Sequence, residues 1–392
     1  MALVIFGDVF TFPEGNAATN RVYTYAKGFS ENGIKVHVIC FENEYIITND
    51  GQVNGIYFYH PFGQRKRNKY FVIRRWQKFI KYFKTIILLR RINKNDKIIT
   101  INVFTNRLST HLFAWYLSRI NKTKLLIECS EHPLRYYHKG ALKKNIGVFK
   151  LYVESNLCDG VFCISLFLVD FFMKHGVSQR KLFLVPSTVD TERFNNHFNS
   201  PLPFKYILYC GSLTILKDGV NILIESFTKI SNKYPEINLV LIGKGDSLKD
   251  ERIIKDLVAA LKINKRVIFL GQLSRKDIPV YLCNAEILAL ARPRSLVADA
   301  GFPSKLTEYL ATGKPVVVTK VGEIPVYLKD NENVFLSEPD SIDAFTDKLD
   351  YVLTNYEFAQ QIGLKGKELT TTIFNYNFQA KRMIGFINSL YS

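Results

Sequence analysis

The chain alternates short apolar runs with amphipathic segments of helical period, and it does so twice. The first series has an apolar run at 3–6, a loop, a helical pattern over 20–32 and another apolar run at 36–40. A strand, a helix and a second strand in this order favour a parallel sheet with right-handed crossovers. The second series starts afresh at 206–210. The pattern predicts an α/β protein with two successive Rossmann-like halves.

The length of the chain agrees with two domains, because 392 residues exceed the size at which a single core usually keeps growing. We predict a first domain over 1–187 and a linker over 188–205, which contains Pro201 and Pro203. A second domain is predicted over 206–374. A last helix, within 375–392, is expected to pack back on the first domain, by analogy with proteins of this architecture.

Positive charge is concentrated in the first half. Residues 1–190 contain 28 Lys and Arg against 13 Asp and Glu, whereas residues 191–392 contain 25 against 22. The segment 64–97 holds 13 of the cations and one acid, interleaved with aromatic side chains. It reads as a basic amphipathic helix attached to an anionic membrane surface. The alternatives are a core-packing helix with a solvated basic face and, less favoured, an RNA-binding segment, for which no nucleic-acid motif is present.

The cysteines and histidines suggest neither disulfides nor a metal. The six cysteines stand mostly in apolar runs without a C-x-x-C pair, which is typical of buried reduced thiols, and the seven histidines form no ligand cluster. The N-terminal apolar run is too short for a signal peptide, and no run approaches the ~20 residues of a membrane span. We therefore expect a cytoplasmic protein, peripheral on the inner face of the cell membrane.

The segment 301–319 reads as a turn, a helix, a second turn and a buried strand. Pro303 suits a first helical turn, and Gly313 can end the helix. The N–H groups and the positive dipole end of such a helix suit a phosphate. Glu308, further along the helix, could reach a sugar or ribose hydroxyl of the same ligand. An ordinary αβ unit without a ligand is the alternative on local pattern alone.

Strands of the second half end in glycine or polar residues that would converge at one edge of a parallel sheet. Lys217 and Arg292 supply two cations for a diphosphate, and Arg has the planar fork that matches phosphate oxygens. The converging positions are Gly211, Lys217, Gly243, Gly271, Arg292, Ser304 and Glu308.

These motifs resemble those of the family 4 retaining glycosyltransferases with the GT-B architecture, in which two Rossmann-like domains face each other across a cleft. The resemblance covers nearly the whole chain and is most specific over 206–328. The segments that carry it are Val185-Pro-Ser-Thr-Val-Asp-Thr-Glu-Arg-Phe194, Gly211-Ser-Leu213, Lys217-Asp-Gly219, Ile242-Gly-Lys-Gly-Asp246, Arg292-Pro-Arg-Ser295, Gly301-Phe-Pro-Ser-Lys-Leu306, Glu308-Tyr-Leu-Ala311, Gly313-Lys-Pro-Val316 and Gly322-Glu-Ile-Pro325.

The resemblance implies a metal-independent enzyme without a cofactor, whose second domain binds a UDP- or GDP-linked sugar and whose first domain binds the acceptor. The acceptor would be a lipid-linked glycan or a cell-surface polysaccharide, and no nucleic-acid partner is implied. Glu131 and His132, after a strand of the first half, are the catalytic candidates; a structural hydrogen bond at the domain edge is the alternative for this pair. The donor-binding candidates are Gly15, Asn16, Gly211, Lys217, Gly243, Arg292, Gly301, Ser304, Lys305, Leu306, Thr307 and Glu308; backbone amides of Lys305, Leu306 and Thr307 would contact phosphate, and Glu308 the ribose hydroxyls.

The chain departs from the family motif E-x7-E at one position. Eight residues before Glu308 stands Ala300 instead of the first glutamate, and Asp299 could replace it only if the loop shifts. This departure motivates one alternative, a catalytically inert partner that binds a nucleotide sugar or lipid for another transferase. A less favoured alternative is a GT-B nucleotide-sugar epimerase, whose chemistry needs more acid and base residues around the sugar.

Overall fold

The computed structural model describes residues 1–41, 50–62, 68–134 and 141–392; the side chains of Lys78 and Ala141 also lie outside the description. The chain forms two compact units. The first consists of Met1–Thr188 together with Tyr376–Ser392, and the second consists of Val189–Asn375.

The first unit is built on an eight-stranded sheet with the order β3-β4-β2-β1-β5-β6-β7-β8. All neighbouring strands are parallel except β3 and β4, which form an antiparallel hairpin. The strands are β1 (Ala2–Gly7), β2 (Lys35–Cys40), β3 (Asp50–Val53), β4 (Ile56–Tyr59), β5 (Ile98–Phe104), β6 (Lys124–Cys129), β7 (Gly160–Cys163) and β8 (Leu182–Leu184).

The helices of the first unit connect parallel strands. They are α1 (Ala17–Glu31), α2 (Phe71–Asn95), α3 (Leu108–Ile120), α4 (Ala141–Leu157) and α5 (Leu166–Lys174). Two separate apolar clusters form the core: one gathers side chains of α1, and the other gathers those of α2 and α3. The sheet is therefore covered on both faces, as parallel sheets require.

The two halves of α2 have different surroundings. Its C-terminal half packs into the core, where Leu89 is fully buried and Ile92 nearly so. The N-terminal half exposes Trp76, Phe79 and Phe83, with 69%, 61% and 65% of each side chain accessible. A core-packing helix, the alternative for segment 64–97, thus applies to one face of α2 from Lys81 onward, where Lys81 and Leu89 are buried and Tyr82 packs against the core. Residues 64–67 of that segment lie outside the described residues.

The second unit has a six-stranded parallel sheet with the order β11-β10-β9-β12-β13-β14. The strands are β9 (Lys205–Cys210), β10 (Ile237–Ile242), β11 (Val267–Gly271), β12 (Ile287–Leu290), β13 (Val316–Thr319) and β14 (Phe335–Ser337). The helices are α6 (Ile215–Asp218), α7 (Val220–Ile230), α8 (Leu248–Ala260), α9 (Ile278–Cys283), α10 (Leu296–Ala300), α11 (Ser304–Thr312), α12 (Ile324–Tyr327), α13 (Ile342–Thr354) and α14 (Tyr356–Glu368). This strand order is that of a dinucleotide-binding fold, so the predicted α/β class with two Rossmann-like halves is confirmed.

The last helix, α15 (Tyr376–Ser389), belongs to the first unit and packs on α1. The two backbones approach closely at Gly28, where a Cβ atom would lie 2.6 Å from Cβ of Ala380. The hydroxyl of Tyr376 donates to Oε1 of Glu31 at 2.8 Å. Among the described residues, no helix is long and apolar enough to cross a membrane.

Residues predicted as a linker, 188–205, belong to the second unit from Val189 onward. The N–H of Val189 donates to the carbonyl of Phe374 at 3.0 Å, and a 3-10 helix at Thr191–Phe194 packs against α9 and α11. The first part of this segment is therefore held by backbone pairing and packing within the second unit, and the linker bounds 188–205 stay a prediction.

Candidate active site

The strand order of the second unit reverses between β9 and β12, and ligands of such sheets bind beyond the carboxyl ends of the strands at that point. Gly211 follows β9 directly, and Arg292 follows β12 after one residue. Arg292 is buried, and one of its guanidinium nitrogens, Nη2, donates to the carbonyl of Val297 at 3.0 Å. The chain therefore places a cation at the expected position.

Helix α11 is anchored to the end of β9 by Tyr309. The phenolic oxygen accepts from the N–H of Cys210 at 2.7 Å and donates to the carbonyl of the same residue at 3.3 Å. Tyr309 is fully buried. This anchor holds the start of α11, with Lys305 and Glu308, beside the carboxyl end of β9.

The side chain of Lys305 contributes to the site, whereas the sequence had predicted a role for its backbone amide. Its Nζ atom lies 2.8 Å from Oδ2 of Asp218 and donates to the hydroxyl of Tyr209 at 2.9 Å. Burial lowers the pKa of Lys305; the charge of Asp218 opposes this, and the charges of Lys217 and Arg292 add to it. Three cations therefore influence one another at the end of the sheet.

Asp218 is a buried counter-charge within this cluster. Burial opposes ionisation of its carboxyl group, but the charges of Lys305 and Arg292 outweigh burial and hold the pKa of Asp218 below its ordinary value. Gly211 leaves room for the lysine, because a Cβ atom there would lie 2.6 Å from Cε of Lys305. The glycine at 211 is thus explained by the lysine side chain that passes it.

Glu308 forms an ion pair with Arg193 of the 3-10 helix. Nη1 of Arg193 lies 2.5 Å from Oε1 of Glu308, and Nη2 donates to the carbonyl of Arg275 at 2.8 Å. Burial and the charge of Glu308 raise the pKa of Cys210 to about 12, while Lys305 and Arg193 lower it. Glu308 directly precedes Tyr309, which is hydrogen-bonded to Cys210, so this part of α11 lies at the carboxyl end of β9. Sequence reasoning did not identify Arg193.

The N-terminus of α11 differs in detail from the prediction. Pro303 precedes its first turn, and no side chain caps it. The N–H of Leu306 donates to the carbonyl of Pro303 at 3.0 Å, and its contact with phosphate stays a prediction. Thr307 is buried and its hydroxyl donates to the carbonyl of Ser304 at 2.8 Å. The amides at the first two positions, 304 and 305, remain the candidates that helix geometry favours.

The remaining predicted donor positions are distributed around this cluster. Lys217 is exposed on α6, and Gly301 follows α10 in an extended conformation. Gly243 has φ of +131°, and a Cβ atom there would collide with the carbonyl of Gly211. Both a backbone conformation and a close approach thus require glycine at 243.

The position of the missing glutamate is closed to solvent. Ala300 is fully buried at the end of α10, while Asp299 is exposed on the same short helix. The structure therefore does not show the loop shift by which Asp299 would take the place of that glutamate.

The two catalytic candidates line a crevice of the first unit at the ends of β5 and β6. Nδ1 of His132 accepts from the N–H of Leu134 at 3.1 Å, and its ring lies 4.7 Å from that of Phe171. The carbonyl of Glu131 accepts a weak hydrogen bond from Sγ of Cys129 at 3.4 Å. The crevice is lined by Phe104, Thr105, Asn106, Ile127, Glu128, Cys129, Ser130, Glu131, His132, Pro133, Lys150, Leu151, Glu154 and Phe172. The structure brings the pair together, and their catalytic role stays a prediction.

Helix α4 adds two charged side chains to this crevice that the sequence did not single out. Nζ of Lys150 donates to Oε2 of Glu154 at 2.8 Å, and both side chains are buried. Burial raises the pKa of Glu154. Their spacing of four residues on a helix was the available signal.

Gly15 and Asn16 serve the start of α1 in the structure. The side-chain oxygen of Asn16 accepts from the N–H groups of Ala18 and Thr19 at 3.0 and 3.2 Å, as an N-cap. A Cβ atom at Gly15 would lie 2.5 Å from the hydroxyl of Thr11. Both residues therefore have local structural roles, and contact with a donor stays a prediction for them.

Within the part of the chain that the structure describes, no group of three His, Cys, Asp or Glu is placed to hold a metal ion. All six cysteines are free, and five of them are buried. Burial raises the pKa of Cys129, Cys158 and Cys210 to about 12 in each case, which makes these thiols poor nucleophiles.

Family models match both halves of the chain. The model for glycosyl transferases group 1 matches residues 190–369, and the model for glycosyltransferase family 4 matches residues 18–193. The chain belongs to the group 1 glycosyltransferases. The resemblance stated from the motifs is confirmed, and so is the prediction of a glycosyltransferase-type enzyme at the level of the family.

Two curated relatives illustrate the likeness. An uncharacterised glycosyltransferase of Bacillus subtilis is 24% identical over 60% of this chain and 64% of its own length. A GDP-mannose-dependent alpha-(1-6)-phosphatidylinositol monomannoside mannosyltransferase of Mycobacterium tuberculosis is 23% identical over 52% of this chain and 54% of its own. This group 1 glycosyltransferase thus spans about half the length of the curated relatives that it matches.

Solved structures share the fold over the full chain. Sucrose-phosphate synthase from Thermosynechococcus elongatus has a TM-score of 0.72 at 17% identity and covers 100% of this chain and 99% of its own. The Anabaena HepE protein in complex with UDP-glucose has a TM-score of 0.71 at 15% identity, covering 99% of both chains. At such identities the likeness establishes the GT-B-type fold alone.

Proposed function

We propose that the chain transfers a sugar from a nucleoside diphosphate donor to a lipid-linked or cell-surface glycan acceptor, with retention and without a metal. The observation that carries this proposal is the buried ion pair of Lys305 with Asp218 at the reversal point of the second sheet. Lys217 adjoins Asp218 in the chain, Arg292 follows β12, and Glu308 lies one turn after Lys305 on α11. Support comes from relatives whose names describe a GDP-mannose-dependent transferase acting on a phosphatidylinositol mannoside and from the complex of HepE with UDP-glucose.

The cluster suits the chemical demand of glycosyl transfer. The bond between C1 of the sugar and the oxygen of the β-phosphate breaks, and negative charge develops on the departing diphosphate. Fixed cations stabilise that charge without reorganisation, and removing one such group commonly costs 10²–10³ in rate. In retaining transfer the acceptor oxygen attacks C1 on the face of the leaving group, and its proton passes to the departing phosphate oxygen.

Turnover tests the proposal. Purified protein is incubated with UDP- and GDP-linked sugars, with and without polyprenyl-linked acceptors, and the release of UDP or GDP is measured. We expect Lys217→Ala and Glu308→Ala to reduce turnover by roughly 10²-fold or more. Lys348→Met, which removes a partly exposed pair with Asp330 in the same unit, is the matched control and should retain activity. Full activity in both site variants would refute the site.

The lipid side of the proposal rests on the exposed half of α2. Trp76, Phe79 and Phe83 are solvent-exposed, and the cations Arg75 and Lys84 on the same helix are also exposed. A helix with exposed aromatic side chains and flanking cations suits the interface of an anionic bilayer, where each cation contributes about 1 kcal/mol.

Helix α4 extends the same apolar and cationic character. It exposes Ile146, Phe149 and Tyr152 together with Lys143 and Lys144. Both helices contact α3: the ring of Tyr82 in α2 lies 4.6 Å from that of Phe113, and α4 packs directly on α3. Peripheral attachment through these helices, on the cytoplasmic face of the membrane, is therefore part of the proposal.

Vesicle sedimentation tests the attachment. The protein should bind vesicles rich in phosphatidylglycerol and bind phosphatidylcholine vesicles weakly. Replacing Trp76, Phe79 and Phe83 by Ser should release it, whereas replacing exposed Leu248 and Leu364 of the second unit by Ser should not. Binding that survives the triple substitution would contradict this part of the proposal.

One observation favours a second candidate, a catalytically inert partner of another transferase. The buried Ala300 stands where the family motif has its first glutamate, so a side chain expected near the donor sugar is missing. Binding of UDP or GDP without turnover on any acceptor would favour this candidate over the enzyme.

A further inference from the structure

Arg193 makes two contacts with parts of the second unit that are far apart in sequence. One guanidinium nitrogen pairs with the carboxylate of Glu308 on α11 at 2.5 Å. The other donates to the backbone carbonyl of Arg275, in the segment between β11 and α9, at 2.8 Å. Only 13% and 14% of the side chains of Arg193 and Glu308 are accessible, so the pair is shielded from bulk water.

We propose that Arg193 is a positioning residue that aims Glu308 at the ribose of the donor and so makes the site selective for ribonucleotides. This inference rests on the proposed function, in which Glu308 accepts hydrogen bonds from the ribose hydroxyls. Arg193 does not lie at a strand end of the sheet. It links the carboxylate of Glu308, which would contact the ribose, to the loop that follows β11.

The chemistry of the pair supports positioning. A glutamate has three side-chain torsions, and restricting them when the ligand binds costs conformational entropy unless a partner has already fixed the rotamer in the folded protein. A guanidinium is a rigid planar fork that stays charged at any working pH, so two contacts made from it fix the relative position of both acceptors. Arg193 therefore holds the side chain of Glu308 in one orientation before the ligand binds.

The pair leaves room for the ligand. The contact uses Oε1 of Glu308, and a carboxylate offers about four acceptor positions on its two oxygens. Two ribose hydroxyls can therefore donate to the carboxylate while Arg193 remains bound.

The surroundings restrict where the carboxylate can point. Tyr309, the next residue, is fixed to Cys210 by two hydrogen bonds, which orients this turn of α11. On the other side, the 3-10 helix Thr191–Phe194 packs against both α11 and α9. Arg193 thus works from a rigid support, as a positioning residue must.

The test compares ribonucleotides with their 2′-deoxy counterparts. Calorimetric titration measures the dissociation constants of UDP, GDP, 2′-deoxy-UDP and 2′-deoxy-GDP for the full chain and for Arg193→Met, Arg193→Lys and Glu308→Ala. Because hydrogen bonds to charged groups are worth about 1.5–3 kcal/mol, the intact protein should prefer the ribonucleotide by roughly 10- to 100-fold.

We expect that preference to fall to about 3-fold or less in Arg193→Met and in Glu308→Ala, and to an intermediate value in Arg193→Lys, which keeps the charge but loses the fork. The double variant Arg193→Met with Glu308→Ala should be no less selective for ribonucleotides than Glu308→Ala alone, because Arg193 and Glu308 act through the same carboxylate. Lys348→Met, which removes the partly exposed ion pair with Asp330, should keep the full preference.

A structural role alone would lower the melting temperature of Arg193→Met and leave its ribose preference intact; that result overturns the inference and leaves the proposed function standing. If Arg193→Met does not fold, an unchanged preference in Arg193→Lys overturns it equally. If the intact protein binds neither UDP nor GDP, the proposed function itself fails and this inference falls with it.

Discussion

Asp218 shows how one buried carboxylate organises the residues of the candidate site. It pairs with Lys305 and lies within the field of Arg292 and Lys217, so the cluster holds three cations around one anion. Sequence analysis identified Lys217 and Arg292 from their place at strand ends. It missed Asp218 as the partner, although the acid adjoins Lys217, because the pair forms with a residue far along the chain.

Replacing Asp218 by Asn should destabilise the second unit by about 3 kcal/mol at pH 7, since the lysine loses its buried partner. The pKa of Asp218 is lowered in the folded protein, so its contribution is complete above the ordinary Asp value and is lost as the pH falls through the folded value. The difference between wild type and Asp218→Asn should therefore shrink below about pH 4.

Urea unfolding at pH 7 and at pH 3.5 measures both effects. Asp330→Asn removes a partly exposed pair with Lys348 and should cost less than about 1 kcal/mol at either pH. An Asp218→Asn variant as stable as that control at pH 7 would contradict the role given to Asp218.

His111 gives the first unit a pH dependence of its own. Burial, together with the charge of Lys150, lowers the pKa of His111 to about 4. The unfolded chain binds a proton near pH 6.5 that the folded chain does not take up until about pH 4, so stability falls as the pH falls between these values, by up to about 3 kcal/mol.

In unfolding experiments between pH 7 and pH 4, His111→Gln should flatten this decline, whereas substitution of the exposed His175 should not. An unchanged slope in His111→Gln would show that other groups cause the acid sensitivity.

At the scale of elements, the sequence pattern predicted most strands because parallel strands buried on both faces are short continuous apolar runs. The hairpin of β3 and β4 was missed. Its signal was present: Asn54 and Gly55 form a two-residue turn with φ of +48° and +77°, and Asn-Gly is the strongest short hairpin signal. The basic segment was predicted as an amphipathic helix, but the length of its exposed part was not predicted. Helical period alone does not mark where packing against the core ends.

The attachment of α11 to β9 yields a prediction at this scale. Tyr309→Phe removes the acceptor of the Cys210 N–H and the donor to its carbonyl, both buried, which should cost about 1–3 kcal/mol. Affinity for UDP or GDP should fall as well, because Lys305 and Glu308 lie on this helix.

Chemical denaturation combined with nucleotide titration checks both expectations. Tyr116→Phe, at an exposed position of α3, is the control and should change neither quantity. Unaltered stability in Tyr309→Phe would mean that packing alone holds α11 in place.

At the scale of the whole molecule, the two-unit α/β organisation followed from the repeated alternation of strands and helices. The strand order of each sheet did not, because crossovers to either side of the first strand leave the same local pattern. The ion pair of Arg193 with Glu308 could not be predicted either, because 115 residues separate the two and the sequence around each residue does not indicate the other. The uneven distribution of charge was visible directly in the sequence, and the structure shows much of the exposed positive charge of segment 64–97 on α2.

The most direct test of the proposed donor site is a crystal structure of the protein with UDP or GDP bound. We expect the diphosphate within hydrogen-bonding distance of Lys217, Arg292 or Lys305 and the ribose hydroxyls on the carboxylate of Glu308. A nucleotide bound elsewhere, with these four side chains free of it, would contradict the proposed site.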